Sequence, residues 1–290
     1  QGQNYSTAPV FSNFGFDDAG GLDDGWYQID SYTGEWTAIF AGVSGTSWDN
    51  DGWTVPGFAA LSEGDHTVYF KASDDMGRVE GETGEWHWQF FKDTVSPAGP
   101  TLLESTSHTV STWSSDNTVS INWTAATDGG SGLDGYSILW DTSPSTSPDQ
   151  TKDIEETATN TTSIALLSAN NHYFHIRGVD KVGNWGNAAH IGPFFIDTLS
   201  PIGPSSVNST SHNVSSWSND NTVDVTWISA TDNLSGLDGY SILWDTSPNT
   251  IPDQTKDVEE GVTSNTSSVL ADGNSYYFHI RSVDNASNWG

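Results

Sequence analysis

The chain has 290 residues, enough for two or three domains, each able to fold around a core of its own. It contains no cysteine, which excludes disulfides and thiolate metal sites, and its 8 basic and 38 acidic residues leave a net charge of -30. The imbalance comes from missing bases rather than added acids; it excludes the basic patches that nucleic acids and anionic membranes require, and it suits solubility and divalent cations.

No run of residues approaches the 18 or more apolar positions of a membrane helix, so membrane insertion is not expected. No leader is read at the start, and Gln1 is taken either to follow a cleaved signal or to begin a fragment. Ser, Thr, Asn, Gly and Trp are plentiful and good helix formers are scarce. That composition predicts an all-β chain with many turns.

Residues 1–94 are read as the first module. Its strand signals are Gly25-Trp-Tyr-Gln-Ile-Asp30, Leu61 through Asp74, and Trp86-His-Trp-Gln-Phe-Phe-Lys-Asp-Thr94. Val68 and Phe70 are expected to face its core. Asp49-Asn-Asp-Gly52 has part of a calcium loop but lacks the distal Glu, and is read as a plain turn.

Residues 95–198 and 199–290 are read as two copies of one module. Ser131-Gly-Leu-Asp-Gly-Tyr-Ser-Ile-Leu-Trp-Asp-Thr-Ser-Pro144 recurs whole as Ser235 to Pro248, and Phe174-His-Ile-Arg177 recurs as Phe278 to Arg281. The offset is 104 throughout, without a gap, and about six positions in ten are identical. Within the first copy, Val119, Ile121 and Trp123 alternate with polar residues, as do Tyr136, Ile138 and Trp140, and then His172, Phe174 and Ile176. This is the period of half-buried strands, separated by turns such as Thr127-Asp-Gly-Gly-Ser-Gly132. His175 and His279 fall on the outward phase of that alternation. The second copy stops at Gly290, the match of Gly186, and so lacks the apolar run Ile191-Gly-Pro-Phe-Phe-Ile196. Its final strand is therefore expected to be absent. Two explanations stay open: a fragment boundary, or a strand donated by a neighbouring subunit.

Val-x-Ile-x-Trp, Ser-Gly-Leu-x-Gly-Tyr-x-Ile and Tyr-Tyr-Phe-x-Ile-Arg-x-Val-Asp-x-x-x-Asn resemble bacterial and archaeal fibronectin type III-like repeats over residues 95–290. The first module resembles the Ig-like modules of large prokaryotic surface proteins. The resemblance implies three tandem β-sandwiches in an elongated array, the last lacking its final strand. It also implies a tyrosine corner, with a Leu six residues before a Tyr. Leu270 and Tyr276 match it, whereas the middle module pairs Leu166 with His172. The junctions Lys92-Asp-Thr-Val-Ser-Pro97 and Ile196-Asp-Thr-Leu-Ser-Pro201 read as short, stiff linkers.

In such a sandwich the loop between the second and third strands shares a pole with the loop after the sixth strand and with the module's start. The resemblance thus gathers Asp93, Asp128 and Asp180 at one junction, and Asp197, Asp232 and Asp284 at the next. Carboxylates on turns are what Ca²⁺ requires, and Ca²⁺ is the expected cofactor. Turn capping by the same side chains is the competing reading. Trp185 and Trp289 lie in Asn-Trp-Gly turns and are candidates for sugar stacking or for packing at a junction. Asn4, Asn122, Asn160, Asn208, Asn213, Asn233, Asn265 and Asn285 head glycosylation sequons.

No catalytic residue is identified: there is no nucleophile elbow, phosphate loop or HExxH arrangement. The expected function is a non-enzymatic extracellular module of a surface layer, sheath, stalk or filament. Expected partners are copies of itself or neighbouring surface modules, and glycans. An adhesin binding glycan or protein through its loops, and an accessory region of a large secreted hydrolase, are the alternatives.

Overall fold

A computed structural model describes residues 2–273 and 275–290. Among these residues the chain is all-β, with one short 3-10 turn at Phe58–Ala60.

The first sandwich is built from β1 (Gln3–Tyr5), β2 (Val10–Phe11), β3 (Gly15–Ile29), β4 (Thr37–Phe40), β5 (Gly45–Asp49), β6 (Trp53–Thr54), β7 (Gly64–Asp74), β8 (Val79–Glu80) and β9 (His87–Lys92). Its larger sheet runs β1-β9-β7-β3-β4, with β5 on β3 and β8 on β7; β2 and β6 pair across from it. Val68 and Phe70 do face inward, against Trp53, Phe58 and Phe90. The core is aromatic: Phe14 stacks on Trp53 with ring centroids 4.9 Å apart, and Phe40 on Trp48 at 4.5 Å. Large rings fill the gap between two short strands and a long sheet with little loss of side-chain entropy. Asp49-Asn-Asp-Gly52 forms a turn, with the Asn13 amide donating to Asp51 Oδ1.

The middle sandwich contains β10 (Thr101–Ser105), β11 (Trp113–Ser114), β12 (Ser120–Thr124), β13 (Leu133–Asp141), β14 (Ile154–Glu155), β15 (Asn160–Thr162), β16 (Ala169–Asp180) and β17 (Ala189–Ile196). One sheet is β10-β12-β15; the other is β11-β17-β16-β13-β14, with β11 parallel to β17. The first sandwich repeats that order, with β1 parallel to β9. Val119, Ile121, Tyr136, Phe174, Ile176, Phe194 and Ile196 are fully buried between the sheets. The Ala126 amide donates to Tyr136 Oη at 3.1 Å, which satisfies the one polar atom that ring carries inward.

The last sandwich repeats this through β18 (Ser205–Ser209), β19 (Asp224–Ile228), β20 (Leu237–Asp245), β21 (Val258–Glu259), β22 (Ser264–Thr266) and β23 (Tyr277–Asp284). Its sheets are β18-β19-β22 and β21-β20-β23. The free edge of β23 carries no partner among the described residues. Phe278 and Ile280 are only half-buried, whereas their counterparts Phe174 and Ile176 are fully covered.

One expectation is corrected, and the corner of the middle module is closed by a residue other than tyrosine. His172 does not cost the middle module its corner bond: its Nε2 donates to Leu167 O at 2.7 Å, as Tyr276 Oη donates to Ala271 O at 3.0 Å. An imidazole N–H placed five residues on reaches the same carbonyl. His66 Nε2 makes the matching bond to Ser62 O in the first sandwich, at 2.8 Å. Nor does His175 point outward into water: it is fully buried, with Nε2 2.9 Å from Asp141 Oδ1 and Nδ1 2.7 Å from His190 Nδ1. The strand period holds; on the outer face the ring is covered by side chains of the two flanking strands, His190 of β17, its direct cross-strand neighbour, and Asp141 of β13.

The Nδ1–Nδ1 contact needs one donor and one acceptor, so the two rings cannot both be protonated and keep it. Burial, then the neighbouring His175, lowers the pKa of His190. A depressed histidine contributes stability that is complete above the unfolded value near 6.5 and is lost as pH falls through the folded one. His190 itself is exposed at the edge of the pair, so solvent screens the effect and the middle module is expected to melt only slightly lower at pH 5 than at pH 7.5. His190→Asn should flatten that slope in calorimetric scans.

Candidate metal centres at the module junctions

β16 and β23 both end on an aspartate whose carboxylate ties down the turn that follows. Asp180 Oδ1 accepts from the Val182 amide at 3.0 Å and the Asn184 amide at 2.8 Å, and Oδ2 accepts from Asn184 Nδ2 at 2.7 Å. Asp284 accepts in the same way from the amides of Ala286 and Asn288 and from Asn288 Nδ2. The turns between β12 and β13 and between β19 and β20 are anchored likewise, with the Gly130 and Gly132 amides donating to Asp128 Oδ2 and the Leu234 and Gly236 amides to Asp232 Oδ2. Gly132 and Gly236 hold φ of 88° and 81°, so a side chain at either position would strain that turn. The linker supplies the third group: Asp93 Oδ2 accepts from the Ser131 amide at 2.6 Å and Asp197 Oδ2 from the Ser235 amide at 3.1 Å.

The turn-capping reading of these aspartates therefore describes real bonds. It does not account for their convergence. Oxygens of Asp93, Asp128 and Asp180 lie within 4.8 Å of one another, as do those of Asp197, Asp232 and Asp284. The linker and strand-end members are buried and the loop members half-buried. None of the ion pairs among the described residues involves any of the six. At an effective dielectric of ~20, each pair of like charges this close costs about 3 kcal/mol. Burial opposes ionisation of Asp93, but the Ser131 hydroxyl and amide and the Val95 amide outweigh it and hold its pKa below the ordinary value. Burial raises that of Asp284, and the Asp197 charge adds to the rise. Ser131 Oγ, on a residue 8% exposed, faces the Asp93 carboxylate without a well-aligned hydrogen bond, while its counterpart Ser235 Oγ lies 3.4 Å from Asp232 Oδ2. The donor set is all hard oxygen, of the kind Ca²⁺ takes.

Trp185 and Trp289 are half-buried rather than projecting. The Arg177 guanidinium covers the Trp185 ring at 4.8 Å and Arg281 covers Trp289 at 4.9 Å, so one face of each ring is already occupied. Of the sequon residues, Asn4, Asn160, Asn208, Asn213, Asn233 and Asn285 are exposed, and Asn122 and Asn265 half-buried. Asn265 Oδ1 accepts from Trp244 Nε1, Asn208 Nδ2 donates to Ser206 O, and Asn285 Nδ2 donates to Ser235 O, which ties these three amides into the fold.

The first sandwich carries a version of the same pole that a search for long repeats misses. Asp74 ends β7 as Asp180 ends β16, eight residues after the corner histidine in each case, and it pairs with Leu22 as Asp180 pairs with Leu133. Asp17 precedes Leu22 by the spacing that separates Asp128 from Leu133 and Asp232 from Leu237, with Gly before the Leu each time. That short Asp-x-x-x-Gly-Leu signature was legible in the sequence.

No family model matches the chain. It is 28% identical to chitinase A1 of Niallia circulans over 202 residues, which are 68% of this chain and 25% of that protein; the chain thus spans a quarter of that relative. Among solved structures, the fibronectin(III)-like modules of Clostridium thermocellum CbhA are 10% identical, over 68% of this chain and 90% of theirs, with a TM-score of 0.34. The FN1-FN3 domains of chicken CNTN1 are also 10% identical, over 100% and 95%, with a TM-score of 0.33. Superposition of whole chains is loose at such scores, and the assignment rests on the strand order, the corner bond and the repeated motifs. The chain is a tandem array of β-sandwiches, the last two similar to fibronectin type III modules, behind a more divergent sandwich of the same strand order.

Proposed function

We propose that the chain is a non-enzymatic, extracellular structural segment of a larger cell-surface protein, and that Ca²⁺ at its module junctions stiffens it into a rod. The observation that supports this most directly is the composition of each carboxylate triad: one residue from the linker and two from the module that follows. A cation held by all three couples the linker's direction to the module's body. Asn184 Nδ2 to Asp93 O, and Asn288 Nδ2 to Asp197 O, already bridge the same joint. The low content of basic side chains leaves few internal cations to compete for the sites.

Calorimetry with CaCl₂ and with chelator tests the reading. A site at a hundredfold its dissociation constant adds about 2.7 kcal/mol, so the transitions of the middle and last modules should rise clearly in calcium. Identical transitions in calcium and in chelator would remove the metal from this proposal.

The similarity to part of a chitinase supports a second reading, an accessory spacer in a large secreted polysaccharide hydrolase. Coding sequence on either side of these residues would decide it, through the presence or absence of a catalytic domain. Self-association through the open edge of β23, by strand donation from a neighbour, belongs to the surface-assembly reading and is taken up in the Discussion.

A further inference from the structure

The three poles share the turn that follows the strand-end aspartate, and one position in that turn separates the first from the two that gather carboxylate triads. After Asp180 and Asp284 the residue four places on is Asn184 or Asn288; after Asp74 it is Arg78. The backbone is the same in each: the Asp74 amide donates to Arg78 O at 2.9 Å, as the Asp180 amide donates to Asn184 O and the Asp284 amide to Asn288 O at 3.1 Å. Asp74 Oδ1 accepts from the Met76 amide at 3.0 Å and the Arg78 amide at 2.8 Å. Arg78 Nε donates to Asp74 Oδ2 at 2.6 Å, where the other two poles place an asparagine Nδ2. Beyond that shared bond, asparagine ends, whereas arginine continues with a guanidinium. It lies across the mouth of the pole, near Gly20 and the Asp18 carboxylate, over an Asp74 side chain that is 2% exposed. Asp17, Asp18, Asp74 and Arg78 line one cavity there.

We infer that Arg78 is a built-in cation that occupies, at the first module's pole, the place a divalent metal ion takes at the other two. The inference rests on the calcium reading of the junctions. Two observations beyond the acidic clusters point the same way. Ser131 Oγ is buried and accepts no hydrogen bond, so with its hydroxyl turned to the Asp93 carboxylate its lone pairs stay available beside the triad. Where the chain places an arginine, the strand-end aspartate has an ion pair; where it places asparagine, the strand-end aspartate has none. Residue identity four positions after the strand-end aspartate thus sorts a metal-dependent pole from a metal-independent one. A guanidinium offers fixed charge and a fork of donors, but unlike an ion it cannot be removed by chelation.

The test is a swap in the full chain. Asn184→Arg should place its Nε where Asn184 Nδ2 stands and its charge over Asp128. In chelator it should melt roughly 5 °C above the unsubstituted chain at the middle module, because the triad gains its counter-charge without metal. In isothermal titration with CaCl₂ the stoichiometry should fall from two ions to one, the Asp197 site serving as internal control. Asn184→Gln, longer but uncharged, should raise neither the melting point nor alter the stoichiometry. Asn288→Arg repeats the experiment at the second junction should the first variant misfold. Folded arginine variants that melt at or below the unsubstituted chain in chelator, or that still bind two ions, would overturn the inference. If the unsubstituted chain binds no calcium but Asn184→Arg still gains stability in chelator, the calcium reading fails and the role of Arg78 stands.

Discussion

Phe194→Ala is expected to cost the middle module about 4 kcal/mol, the upper range for a large side chain removed from a closed core. Phe194 lies on β17, is fully buried, and packs at ring-centroid distances of 6.1 Å from Trp140 and 6.3 Å from His108. β17 also carries Ile196 into the core and Phe195 onto Trp113. A urea melt followed by tryptophan fluorescence should show the middle transition move while the others hold. The last sandwich shows the same face without that strand among the described residues. Trp217, the counterpart of Trp113, is 87% exposed there, and Phe278 and Ile280 are half-covered. Adding a segment with the sequence of residues 187–198 after Gly290 should therefore pair with the free edge of β23 and raise the last module's stability. Roughly 2 kcal/mol per large side chain newly covered is the expected scale. The same segment supplied as a separate peptide should bind the edge and shift tryptophan emission to the blue. An unchanged last transition in the extended chain would mean that the edge is closed by something other than this sequence, and would count against strand donation.

Asp180→Ala should be the most damaging single change at a junction. The carboxylate is 1% exposed and is the acceptor for two backbone amides and for Asn184 Nδ2. Its loss strands those donors in a site with little water, at about 1–3 kcal/mol for an unmade buried bond. Relief of the repulsion with Asp93 and Asp128 offsets part of this, so a net loss of about 1–2 kcal/mol is expected in chelator, read as a fall in the middle module's denaturation midpoint. In calcium the loss should be larger, because a metal ligand goes with the turn anchor. Asp128→Ala touches a half-buried group that accepts from two amides of the adjoining turn, and should cost less in chelator while removing the same calcium response. Equal losses for both variants in both buffers would leave turn capping as the whole role of these residues.

Much of this was legible from residue order. Strand period placed Val119, Ile121, Trp123, Tyr136, Phe174 and Ile176 in a core, and all of them are buried. The ungapped offset of 104 revealed the duplication, since two copies of one module must bury equivalent residues. The resemblance to a fibronectin-like sandwich, not residue order, implies which loops share a pole, and the structure brings the six junction aspartates together in two threes. How a side chain on the outer face is covered was not legible. His175 obeys the strand period, yet a cross-strand histidine and the aspartate at the end of β13 enclose it. Period reports the face, not what lies over it. The corner bond of His172 was hidden for a related reason: the bond needs only a donor at the right distance, and tyrosine is one of several residues that provide it.

By itself, the sequence determined the all-β class and the duplication, because each follows from local spacing and composition. Only the tertiary structure decided that the divergent first module shares the strand order of the other two, and that Arg78, Asn184 and Asn288 are one position seen three times. Those equivalences arise from chain segments far apart in order and joined by sheet pairing, where Leu22 meets Asp74, Leu133 meets Asp180 and Leu237 meets Asp284. Hydrogen-bond register across strands, not neighbourhood along the chain, sets which side chains share a pole.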